Sequence, residues 1–189
     1  MSFQQAVHSW SELELQFRQI SERAGALASG LDPKLLARRP KQESWSIAEC
    51  LAHLNLSVDA YFPIWTREFA QARRQDSLES GPYRLDFWGR ILVWLVEPPA
   101  RFRFPAPSNF QPAISVTAEE VLPAFLDRQQ RILEILNQGR GVAVDKIKIA
   151  SPFNQRVHYS IWSSFCVTAS HERRHLWQAE RAAQALTRL

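Results

Sequence analysis

Sulfur is scarce in this sequence: its 189 residues hold two cysteines, Cys50 and Cys166, far apart and without CxxC spacing. A disulfide framework or a thiolate metal cluster needs more than that, so reduced thiols are the expectation. Long apolar runs are scarce too. The longest, Leu85 to Val96, is broken by Asp86 and Arg90 and falls short of the roughly 20 residues that span a bilayer. The first residues, Met1-Ser2-Phe3-Gln4, have neither the basic region nor the apolar stretch of a secretory signal, so a cytoplasmic location is expected. Charge of one sign is not concentrated either. The net charge is +4, but the basic residues are scattered, and the cluster Arg38-Arg39 with Lys41 lies in a Pro-containing connection. Nucleic-acid binding would call for a basic stripe, so neither nucleic acid nor a membrane is expected as a partner.

What is present describes a globular chain. Hydrophobic residues make up 46% and charged residues 22%, with seven Trp and eleven Phe, and this length buries a core without covalent staples. One domain over residues 1–189 is expected, with no internal repeat.

Apolar spacing predicts four long helices. Phe3, Val7, Trp10, Leu13, Phe17, Ile20, Ala24 and Leu27 recur at intervals of three and four, the stripe of a first amphipathic helix. Ser46-Ile47-Ala48-Glu49 reads as a capping box, with Trp45 and Cys50 as a staple, and opens a second helix to about Arg74 with a kink at Pro63. From Ser77 to Ser115, Pro82, Pro98-Pro99, Pro105, Pro107 and Pro112 predict irregular chain around one short helix, Phe87 to Val96. Thr117 to Glu120 repeats the capping-box pattern, with Val116 and Val121 as its staple, and opens a third helix reaching Asn137. Val142 to Ile149 alternates loosely and is a candidate extended segment, and a fourth helix spans about Tyr159 to Leu186. The expected class is all-α, a bundle with a Pro- and aromatic-rich insertion between helices 2 and 3.

The sharpest local feature is His171-Glu172-Arg173-Arg174-His175. Imidazoles at i and i+4 lie about 40° apart around a helix and about 6 Å apart along it, so both reach one ion. His53, flanking the apolar stripe of the second helix, is the third candidate ligand, and three ligands leave a position for water or substrate. HERRH is also the HExxH of zinc peptidases, with Glu172 in the place of the general base. Those enzymes take a third ligand downstream, and only fourteen residues without histidine follow His175. Glu172 stays a candidate catalytic residue beside the plainer reading of a charged helix flank. His8 reads as solvated, His158 as a cap or pocket-wall residue, and Cys166 as a small core residue pointing away from the histidines.

The block Glu43-Ser44-Trp45-Ser46-Ile47-Ala48-Glu49-Cys50-Leu51-Ala52-His53-Leu54, with the late His171-x-x-x-His175 followed by Leu176-Trp177-Gln178, resembles the DinB-like superfamily, which includes YfiT-type metal-dependent hydrolases. The resemblance implies an up-down-down-up four-helix bundle holding a nickel- or zinc-type divalent ion on three histidines, here His53, His171 and His175. It also implies a choice of activities, since relatives include S-transferases using bacillithiol or mycothiol and a mycothiol-dependent maleylpyruvate isomerase. Two function classes follow. One is an enzyme that activates a low-molecular-weight thiol or a water against a small-molecule substrate; the other is a bundle that binds metal or a small ligand without turnover. Trp88, Trp94, Phe102, Phe104 and Phe110 read as pocket lining, as a homodimer surface or, most simply, as packing of the insertion onto the bundle. The imidazoles themselves suit zinc, nickel, copper and iron alike.

Overall fold

A computed structural model describes residues 8–75, 81–102, 105–113 and 116–188. Phe3, Val7, Phe104 and Ser77 to Ser80 lie outside these residues. The described chain is mainly helical, as the apolar periodicity predicts: α1 (Trp10–Ser29), α2 (Pro33–Leu36), α3 (Ile47–Asp59), α4 (Phe62–Arg74), α5 (Phe87–Val96), α6 (Ala118–Gly139) and α7 (Ile161–Thr187). Its one described sheet is a two-stranded antiparallel ribbon, β1 (Lys148–Ala150) and β2 (His158–Ser160), with Ile149 opposite Tyr159.

Within the described residues the first helix begins at Trp10; the upstream members of its stripe, Phe3 and Val7, lie outside them. Ser9 is extended and accepts from the Glu12 amide, while the Glu12 carboxylate takes the Ser9 amide at 3.0 Å. That closed capping box gives the Ser9 and Glu12 amides partners at the start of α1. The second predicted helix is two. A proline ring clashes with the carbonyl four residues back; for Pro63 that residue is Asp59, where α3 stops. Pro63 then occupies the first turn of α4, where its missing N–H costs nothing.

The capping box of α3 forms as read, Ser46 Oγ to the Glu49 amide at 3.1 Å and the Ser46 amide to Glu49 at 2.8 Å. Trp45 and Cys50 share one apolar cluster, as the staple reading expects. Thr117 is the N-cap of α6, but its side chain makes no capping bond, so the box does not close. The candidate extended segment is mostly not strand. Val142 is a buried isolated bridge residue and Val144 is buried in the turn after it, its amide on the Val142 carbonyl, and a ladder forms only from Lys148.

The four long helices α1, α3, α6 and α7 pack chiefly as α1 on α6 and α7, and α3 on the same two. The core is aromatic where they meet. Trp65 stacks on Phe165 with centroids 4.2 Å apart and donates to Ser164 Oγ at 2.7 Å, while Trp10 donates to Tyr83 Oη at 3.1 Å. Gly139, last in α6, lies where a Cβ would come within 2.6 Å of Phe69 and 2.7 Å of Trp10, so a side chain there would part α6 from α1 and α4.

The insertion is fastened to the start of α7 by polar contacts. Asp86, the N-cap of α5, accepts from the amides of Gly89 (2.8 Å) and Ser160 (2.6 Å), from Ser163 Oγ (3.0 Å) and from Lys148 Nζ (2.5 Å). Burial works to raise its pKa, but Lys148 and the other donors hold it below the ordinary aspartate value. Gly89 permits the approach: a Cβ there would meet Ser163 Oγ at 2.2 Å.

Candidate metal centre

His53 lies two turns into α3, whose start is held by the capping box and by the Arg39 guanidinium on Glu49 (Nε to Oε2, 2.8 Å). His171 and His175 lie mid-way along α7, which packs against α3. The structure brings the three together, with ring centroids 5.1 Å (His53–His171), 4.5 Å (His53–His175) and 4.6 Å (His171–His175) apart. One nitrogen from each lies within 4.8 Å of the others. His53 and His175 are 4% and 8% exposed, and His171 is half-buried.

Several features fit a cation. His53 Nδ1 lies 2.7 Å from the Phe110 carbonyl, an acceptor that requires the proton on Nδ1 and leaves the Nε2 lone pair free. That Nε2 is 3.3 Å from His171 Nε2, and a tetrahedral ion with bonds of about 2.0–2.1 Å sets its ligand nitrogens about 3.3–3.4 Å apart. All three rings are driven to the neutral form that metal ligation needs. Burial lowers the pKa of His53; burial with His53 and Arg174 lowers His171 to about 3, and burial with both other imidazoles and Arg174 holds His175 well below its usual value.

Aromatic rings wall the trio. Trp45 lies 4.9 Å from His53 and stacks on His175 at 5.7 Å and 29°. Phe153 is 6.1 Å from His171 and 4.5 Å from Phe110. A family model of the DinB superfamily matches residues 16–179, spanning all three histidines. The chain belongs to the DinB superfamily. Neither a curated protein nor a solved structure matches it.

In this DinB-superfamily chain the other candidates are placed as follows. Glu172 is 1% exposed and lies outside the three-histidine group: its Oε1 accepts from Gln129 Nε2 at 2.9 Å, and its Oε2 has no partner. Because α6 and α7 both pack on α1 and α3, this bond links two helices across the interior. Burial pushes the Glu172 pKa up to about 8. His8 Nδ1 faces the Tyr83 carbonyl at 3.1 Å, and His158 is exposed on β2. Both thiols are buried, which raises the pKa of each, Cys166 to about 12; neither is an activated nucleophile.

Three contributors escaped the sequence reading. The carbonyl that orients His53 belongs to Phe110, 57 residues away, and a backbone acceptor carries no sequence signal. Phe153 had no periodic neighbours to mark it. Trp45 was read only as a staple, though its position immediately before the cap of the His53 helix was a usable hint.

Proposed function

We propose that this chain holds one divalent transition-metal ion on His53, His171 and His175, within the up-down-down-up bundle expected of its superfamily, and is a metal-dependent transferase or hydrolase. The observation that carries the reading is the convergence of three neutral imidazoles from two helices, one of them oriented by the Phe110 carbonyl. An ion bound there lowers the pKa of a coordinated thiol or water, so the deprotonated form is available near neutral pH. The protein's part is to hold the imidazoles neutral, lock His53 through Phe110, and limit water with Trp45, Phe110 and Phe153. Nickel and zinc are the proposed ions, and a low-molecular-weight thiol the proposed co-substrate.

A second reading, binding without turnover, is favoured by the depth of the centre, where two of the three rings are almost wholly covered. Cobalt(II) substitution separates the two. A visible spectrum that changes on adding a small thiol shows an accessible coordination position, and a spectrum indifferent to thiol supports the non-catalytic bundle.

The first test is elemental analysis of purified protein beside His53→Ala and His171→Ala. The expected result is about one equivalent of transition metal in the parent chain and strong loss in both variants. No metal in the parent, and none taken up on titration, defeats the proposal.

A further inference from the structure

The short helix α5 carries one charged residue, Arg90, and is otherwise apolar, and among the described residues only one of its sides is covered. Gly89 and Val93 are buried in its packing on α7 and β2. Phe87, Ile91, Trp94 and Leu95 follow the i, i+4, i+7, i+8 spacing of the opposite face, and Trp88 lies on its flank. Phe87 is 71% exposed, Trp94 50% and Trp88 44%. A helix that is hydrophobic all round belongs in an apolar environment on both faces, and an exposed aromatic patch of this kind marks an interaction surface.

The charges around the face indicate what covers it. Arg90, within α5, and Arg101, on Trp94, are exposed and, among the described residues, form no ion pair. Arg101 lies 5.1 Å over the Trp94 ring and keeps its charge at the patch. The two acids between residues 81 and 102 are already taken: Asp86 by Lys148 at 2.5 Å and Glu97 by Arg173 at 2.6 Å. The surface is therefore aromatic at its centre and cationic at its rim. A second copy packed two-fold on this face would bring arginines against arginines, and among the described residues 81–102 there is no unpaired carboxylate to set opposite them. An anionic lipid surface answers both features, taking up Trp and Phe at headgroup level and pairing with the arginines.

We infer that the outward face of α5 is a peripheral docking site for anionic membranes. Among the described residues no helix is long and apolar enough to cross a membrane, but docking in the interfacial plane needs no such helix. The site is independent of the metal reading. It is nevertheless close by, since Arg174, between the two α7 ligands, donates to the Leu95 carbonyl at the end of α5.

The test is co-sedimentation of the full chain with phosphatidylcholine vesicles, with and without roughly one third phosphatidylglycerol. The expected result is binding to the anionic vesicles, weaker by at least about tenfold on neutral ones and strongly reduced by about 0.5 M salt. A Phe87→Ser/Trp94→Ser variant, altered only at exposed positions, is expected to lose at least about tenfold in binding while keeping its helical circular dichroism and metal content. No sedimentation with either vesicle, or binding unchanged in the variant, overturns the inference. So does a concentration-dependent dimer that the variant abolishes without any vesicle binding, which would assign the face to a second copy.

Discussion

At the scale of single residues, Glu172 separates two roles that its position in HERRH merges. Its carboxyl bonds Gln129 inside the bundle, and with a pKa near 8 it is largely protonated at neutral pH. A protonated acid facing a primary amide offers one donor and one acceptor, and a glutamine in its place offers the same pair. Glu172→Gln is therefore expected to leave the urea midpoint and the metal content close to the parent's. Glu172→Leu strands the Gln129 amide and is expected to lose about 1–3 kcal/mol of stability in the same titration. Once an activity is found, the Gln variant also divides the two chemistries. A large fall in rate with metal retained supports hydrolysis with Glu172 as base, and little change supports thiol transfer.

Elements bring a different vulnerability, the attachment of α5 to α7. Ser163 bonds Asp86 on one side and Ser160 on the other, and Gly89 lets the two helices meet over that network. Gly89→Ala would favour α5 intrinsically but must displace Ser163, whose hydroxyl and Cβ both lie within 2.5 Å of the added methyl. Overpacking of this kind typically costs about 1–3 kcal/mol, and the expected loss is read from thermal unfolding. Since α5 also carries the exposed aromatic face, vesicle binding should weaken in this variant. Metal content should not change, because no ligand lies in α5.

For the molecule as a whole, an ion held by His53, His171 and His175 would join α3 to α7 by bonds that exist only in the folded state. An ion at a hundredfold excess over its dissociation constant stabilises such a chain by about 2.7 kcal/mol. At this length about 1 kcal/mol moves the melting temperature by roughly 2–4 °C. Chelation is therefore expected to lower the melting temperature of the parent by roughly 5–10 °C and to leave that of His53→Ala unchanged. Equal effects on both proteins would mean that the chelator acts elsewhere.

By itself the sequence determined the helical class, most helix limits and the identities of the three histidines. Those properties are local: a capping box, a proline, an apolar period and an i, i+4 pair each act over a turn or two of chain. Phe87 to Val96 is legible to the residue for that reason, and Pro63 shows the limit, because the apolar period runs on across the point where α3 ends and α4 begins. Tertiary structure alone decided which carbonyl orients His53, that Glu172 meets Gln129 across the interior, and that among the described residues nothing covers the aromatic face of α5. Each depends on residues tens of positions apart brought together by packing, and no local pattern encodes which surface a helix will find or what will be left outside it.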